Sequence, residues 1–189
     1  MKKLIRRSFI GMLALTVVAV ALPAQAKDKS EDELIADLGS SNEDTVTSAM
    51  LALEKHYPTS TKAFPTIKKL LTDSRAKVRR KAGRVLGVLH AEVDQQNLKD
   101  ICAMLKASEP REQMDALISL RGLKAQSTIP EILPLLNSST PNVIRDACRT
   151  LAALGNKELV PSIEPLLKHA DKKVQVDAQD AIYKLKEKA

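Results

Sequence analysis

One alanine recurs along the 189-residue chain at nearly constant spacing: Ala49, Ala82, Ala116, Ala147 and Ala178, with steps of 33, 34, 31 and 31 residues. Its neighbours recur with it. Seventeen residues before each alanine stands Asp32, Pro65, Lys99, Pro130 or Pro161. Two positions further on comes Leu34, Ile67, Ile101, Ile132 or Ile163, and four beyond that Leu38, Leu71, Leu105, Leu136 or Leu167. Four residues after the alanine comes Leu53, Leu86, Leu120, Leu151 or Ile182. A period in this range marks a stacked repeat array, because one unit cannot bury its own apolar stripe and neighbours must share a core. Such arrays build extended binding surfaces, so the pattern points to a binding protein without naming what it binds.

Each unit reads as two helices. In the fourth, Thr128-Ile129-Pro130-Glu131 has the form of a capping box with proline in the first turn. Ile129, Ile132, Leu133 and Leu136 then fall on one helical stripe. Asn137-Ser138-Ser139 ends that helix, and Thr140-Pro141 starts the next as N-cap and first residue. Val143, Ile144, Ala147, Cys148, Leu151 and Leu154 form the second stripe, closed by Gly155-Asn156, which tolerate positive φ. The fifth unit repeats the scheme, and the first opens on a second capping box, Ser30-Glu31-Asp32-Glu33. No segment alternates with period two between hairpin turns, so no strand is expected. At the recurring alanine, a methyl lets crossing helices approach to about 8–10 Å.

The run Val78-Arg79-Arg80-Lys81-Ala82-Gly83-Arg84-Val85-Leu86-Gly87 resembles the second helix of a HEAT repeat, of the short kind also found in phycobilisome lyases. Pro130-Glu131-Ile132-Leu133-Pro134-Leu135-Leu136 resembles the first helix, and residues 161–167 repeat it. The resemblance covers about residues 31–187, in units of about 31–58, 62–91, 95–124, 128–155 and 159–187. It departs from the pattern where Asp32 and Lys99 replace the proline and Thr45 and Glu112 replace Val78. Arg79 also has no like counterpart, its column reading Val46, Gln113, Ile144 and Gln175. The resemblance implies an all-α, right-handed α-solenoid of about five two-helix repeats that binds other macromolecules, with no single chemistry attached.

The N-terminus reads as a targeting segment. Lys2, Lys3, Arg6 and Arg7 precede an uncharged run from Phe9 to Leu22, and Ala24-Gln25-Ala26 is a small-x-small cleavage site. Residues 1–26 are thus expected to be removed, leaving a domain over 27–189 outside the cytoplasm, in a bacterial periplasm or beyond. The run falls short of the roughly 20 residues needed to span a bilayer, which argues against an anchor. Arg6-Arg7-Ser8-Phe9-Ile10 fits the twin-arginine pattern, and the apolar core fits the general export route as well. Without this segment's four basic residues, the 30 Lys and Arg fall to 26 against 23 Asp and Glu, a net charge of +3. That balance speaks for solubility and little more.

Nothing in the chain reads as a catalytic constellation, so no enzyme activity and no cofactor are expected. His56, His90 and His169 lack a Cys or carboxylate cluster at metal-ligand spacing. His56 and His90 both close second helices, as cations at the negative dipole end on one edge of the array. Cys102 and Cys148 fall on apolar stripes in different helix layers, which disfavours a disulfide between them even in an oxidising compartment. Beyond Phe9 the only aromatics are Tyr57, Phe64 and Tyr183, too few for the stacking that single-stranded nucleic acid needs.

The strongest surface signal is basic. On a helical wheel Lys77, Arg80, Lys81 and Arg84 lie opposite the apolar face of Val78, Ala82, Val85 and Leu89. Arg145 and Arg149 hold the places of Arg80 and Arg84 two units later, and Arg111 and Lys173 hold that of Lys77. By resemblance, second helices line the concave surface, so Lys77, Arg80, Arg84, Arg111, Arg145 and Arg149 would form a basic track there. An ordinary solvated face is the other reading, since Asp115, Asp146 and Asp177 stand one residue before their alanines and can neutralise part of it. The expectation is an exported, non-catalytic adaptor that docks a protein partner on its concave face, an acidic one where the basic track makes the contact. The alternatives are a lyase-type accessory for cofactor attachment, or a binder of anionic lipid or cell-wall polymer.

Overall fold

The computed structural model describes residues 29–188, so the expected targeting segment lies outside the described residues. Among the described residues, five helix pairs follow one another. They are α1 (Glu31–Asp37) with α2 (Glu43–His56), α3 (Phe64–Lys69) with α4 (Ala76–Val88), and α5 (Gln95–Met104) with α6 (Pro110–Gly122). Then come α7 (Ile129–Ile132) with α8 (Pro141–Leu154), and α9 (Val160–Ile163) with α10 (Lys172–Glu187). No strand occurs among the described residues, and none of their helices is long and apolar enough to cross a membrane. The second helices stack on one another in chain order, while each first helix packs on its own partner. The chain is therefore an α-solenoid of two helix layers.

All five alanines of the recurring column are at most 2% exposed. Between α4 and α6 the approach is closer still. A Cβ added to Gly122 would lie 2.4 Å from Gly87 O, and one added to Gly87 would lie 2.9 Å from Ser119 Cα. Only glycine permits backbones to meet this closely. The ends of the same two helices match: His90 and Lys124 adopt left-handed φ of 50° and 53°. Ala91 N then donates to Leu86 O and Ala125 N to Leu120 O, closing both helices by the six-to-one bond of a Schellman motif. Gly155 needs no such conformation, having φ −93°.

The Ser30 capping box forms: Ser30 Oγ accepts from Glu33 N at 3.3 Å and Glu33 Oε2 accepts from Ser30 N at 2.8 Å. The backbone bond and the Ser30 hydroxyl hold the exposed Glu33 carboxyl below its ordinary range. The expected box at Thr128 does not form. Thr128 closes a 3-10 turn over Gln126–Thr128, and its Oγ1 donates backwards to Ala125 O at 2.8 Å. Nor does the Thr140 side chain cap α8. The fourth and fifth first helices are also shorter than their stripes suggest. Each continues from α7 or α9 as a 3-10 segment, Leu133–Asn137 or Glu164–Lys168, because Pro134 and Pro165 remove an i→i−4 bond. The tighter turn brings in the residue three after the column isoleucine, so Leu135 and Leu166 are buried. Leu167 is 36% exposed, whereas its column mate Leu136 is 5% exposed beneath the next unit.

The irregular columns are filled by compensation. Glu112, standing where the pattern has valine, is buried, and its Oε1 accepts from Arg79 Nε at 3.0 Å and Nη2 at 2.8 Å across the unit boundary. Arg79 Nη1 donates to Asp73 O at 2.8 Å, six residues back. Gln113 Nε2 donates to Ala107 O at 3.0 Å, and Gln175 Nε2 to His169 O at 2.6 Å, over the same separation. One job, tying the inter-helix loop to the second helix, survives the change of residue type.

Candidate functional site

The outward side of the second-helix layer carries the basic residues, because the opposite side of each helix is occupied by the apolar stripe. There the acid column answers the arginines. Asp177 on α10 accepts from Arg145 Nε at 2.5 Å, and from Arg149 Nε and Nη2 at 3.0 Å each. Arg149 Nη1 also reaches Asp146 Oδ1 at 3.1 Å on its own helix. Arg80 Nη1 donates to Glu109 Oε1 at 3.0 Å, and its Nε lies 3.7 Å from Asp115 Oδ2, leaving the Arg80 side chain 14% exposed. Burial pushes the Asp115 carboxyl up, against the pull of Arg80, Arg84 and Arg111 around it. Lys77 Nζ lies 2.5 Å from Asp44 Oδ1 and 3.7 Å from Glu43 Oε1. Bonding to Lys77 holds the Asp44 carboxyl below its ordinary range.

The basic track therefore does not stand as a uniform field. Lys77, Arg80, Arg145 and Arg149 are engaged within the chain. Arg84 and Arg111 are exposed and make no ion pair among the described residues. On α6 the positions corresponding to Arg80 and Arg84 hold Met114 and Ile118, both half-buried. The middle of the layer is thus an apolar strip between two arginine-bearing helices. Two further cations, Arg121 and Lys184, face a groove of about 640 Å³ that Arg149, Ala153, Glu187 and Lys188 also line. Arg121 shares its column with Glu54, Gly87, Ala152 and Tyr183, so no recurrence of charge marks it.

The remaining candidates are placed otherwise. His56 lines a groove on the outer side of the first unit, while His90 Nδ1 donates forward to Gly122 O at 2.8 Å. His90 also lines a separate groove with Lys55 and Pro58, so the two histidines border different grooves. His169 Nδ1 accepts from Asp171 N at 3.0 Å. Among the described residues, no group of three or more His, Cys, Asp and Glu could hold a metal ion. Cys102 and Cys148 are both free thiols. Burial pushes Cys102 up to about 11 and Cys148 to about 12, so neither supplies a thiolate near neutral pH.

This layered geometry agrees with what the chain resembles. The family model for HEAT repeats matches residues 98–186. No curated protein sequence matches the chain. A solved complex of CpcE and CpcF of phycocyanin lyase from Nostoc sp. PCC7120 contains a similar chain, with TM-score 0.73, 23% identity, and coverage of 89% of this chain and 70% of that one. A designed armadillo repeat protein in complex with the peptide (KR)4 is similar at TM-score 0.63 and 19% identity, over 81% of this chain and 80% of that one. An engineered protein is similar at TM-score 0.64 and 20% identity, over 83% and 79%. At these identities the likeness shows the solenoid fold alone.

Proposed function

We propose that the chain is an exported, non-catalytic scaffold that docks a partner protein on the outward face of its second-helix layer. The observation that carries this reading is the strip of Met114 and Ile118 flanked by Arg84 and Arg111, the two track cations that make no ion pair among the described residues. An apolar centre with a charged rim is the usual make-up of a protein-binding patch. Unsatisfied arginines favour an acidic partner by charge complementarity. The designed armadillo protein, a similar fold in complex with the basic peptide (KR)4, supports the docking of a chain segment on such a solenoid but not the sign of its charge.

The test is capture from periplasmic extract by the mature protein, compared with an Arg84→Glu/Arg111→Glu variant. The partner should bind the wild-type protein less tightly as salt rises, because exposed attraction is screened over about 10 Å at 0.1 M. The variant should associate more slowly while keeping its helical content and melting temperature. Equal affinity of both proteins for the captured partner at low salt would refute the reading. A second reading, an accessory role in cofactor attachment, is supported by the likeness to the phycocyanin lyase complex. It requires a visible absorbance band in protein purified from its native host.

A further inference from the structure

Two grooves in the second-helix layer use the same part of the repeat. One lies between α2 and α4, has a volume of about 500 Å³, and is lined by Leu51, Pro58, Val88 and Leu89 with Glu54, Lys55 and His90 at its polar side. Its lips, Leu51 and Val88, are 54% and 44% exposed, whereas Met50 and Leu86 beside them are fully buried. Large aliphatic side chains gathered at one opening mark a contact surface more often than scattered ones do. The other groove carries four cations, Arg121, Arg149, Lys184 and Lys188, against one carboxylate, Glu187. Lys188 Nζ is fixed there by Ala152 O and Ala153 O, each at 2.7 Å.

Alignment of the units puts both grooves on one line. Leu51 corresponds to Arg84, Ile118, Arg149 and Asp180; Glu54 corresponds to Gly87, Arg121, Ala152 and Tyr183; Lys55 corresponds to Val88, Gly122, Ala153 and Lys184. The grooves are therefore the two ends of a single strip along the C-terminal ends of the second helices, with Arg84 and Ile118 between them. At about 8–10 Å per stacked helix they lie roughly 20–30 Å apart. An extended segment of about seven to nine residues covers that distance.

Building on the scaffold reading, we propose that this strip takes one extended acidic segment of a partner protein. An aliphatic residue of that segment sits between Leu51 and Val88, and carboxylates at its other end meet Arg121 and Lys184. The charge of the second groove selects carboxylates, and the aliphatic lips of the first select a side chain of like kind. The distance between them sets the spacing that the segment must have.

The probe is a fluorescent nine-residue peptide with leucine at one end and three glutamates at the other, made in both chain directions and titrated by anisotropy against the mature protein. One direction should bind. Replacing its leucine by serine should weaken binding roughly tenfold, as should replacing its glutamates by glutamine. A Leu51→Ser/Val88→Ser variant should abolish the advantage of leucine while leaving that of the glutamates. An Arg121→Gln/Lys184→Gln variant should do the reverse. Leu51, Val88 and Lys184 are exposed and Arg121 is half-buried, and unchanged melting curves confirm that the variants fold. The proposal is overturned if neither direction binds, or if leucine adds nothing to affinity. If the leucine-free peptide binds equally well and is lost only with Arg84→Glu/Arg111→Glu, the bipartite strip is wrong and the scaffold reading survives.

Discussion

The closest crossing in the solenoid makes a sharp prediction about stability. In Gly122→Ala the new methyl would stand 2.4 Å from Gly87 O and 2.7 Å from Gly87 C, about 1 Å inside the 3.4 Å of ordinary contact. Both neighbours are backbone atoms, so no side-chain rotation relieves the clash, and α4 must move away from α6. Overpacking of this kind costs about 1–3 kcal/mol. The roughly 1 kcal/mol by which alanine favours an interior helix position offsets little here, because Gly122 is the last residue of α6. The shift also disturbs the bond from His90 Nδ1 to Gly122 O. Gly83→Ala is the matched control: its methyl would meet Ser119 Oγ, held by its bond to Asp115 O, at 3.0 Å and the flexible end of Met104, Cε, at 3.2 Å, so a shift of a few tenths of an ångström suffices. It also lies inside α4, where the propensity gain applies. In urea unfolding followed by circular dichroism, Gly83→Ala should stay within about 1 kcal/mol of wild type, the propensity gain offsetting the tight contact. Gly122→Ala should lose about 1–3 kcal/mol, or several degrees in melting temperature. Repeat arrays need not unfold in one step, so midpoints from a second probe should be compared. If Gly122→Ala is as stable as wild type, or Gly83→Ala falls equally far, the crossing is not limited by backbone contact.

Three further outcomes are expected. Ala147→Leu should cost about 1–3 kcal/mol and Ala153→Leu almost nothing, because Ala147 is fully buried and Ala153 faces solvent; equal urea midpoints would contradict this placement. The Cys148 thiol is pushed up from 9.0 to about 12, chiefly by burial and then by Asp177, so the folded state favours its neutral form. Its contribution is complete below about pH 9 and lost as pH rises toward 12, at up to about 1.4 kcal/mol per pH unit. Between pH 9 and 11 the stability of wild type should therefore fall more steeply than that of Cys148→Ala, and parallel slopes would refute the assignment. Finally, intact-mass analysis of the exported protein should place its first residue at Lys27, and a species retaining residues 1–26 would rule out cleavage after Ala26.

The repeat was legible because burial imposes a period. An alanine that must sit at every helix crossing leaves a mark each time the chain returns there. Local chemistry was legible where its partners are near in sequence, as at the Ser30 capping box. It failed where a nearer competitor existed. The Thr128 hydroxyl found Ala125 O before it could cap α7, and Pro134 and Pro165 tightened helices whose stripes looked continuous.

The candidate surface was legible only in outline. Columns of like residues showed that cations gather on the outward side of the second helices. They could not show that Asp177 holds both Arg145 and Arg149, or that Arg80 lies over Glu109. Arg121 and the Leu51–Val88 groove were missed because neither repeats.

The sequence by itself determined the solenoid, its two helix layers and the side of each second helix that turns outward. Those follow from periodicity, which is a property of one helix and its own next turn. The tertiary structure decided which charges remain available, which glycines are indispensable and where the layer opens into grooves. Those depend on atoms about 30 residues apart along the chain, such as Arg79 with Glu112 or Gly122 with Gly87, whose separation is set by how adjacent helices settle against each other. A helical wheel gives the direction in which a side chain points, and only packing gives the distance to what it meets.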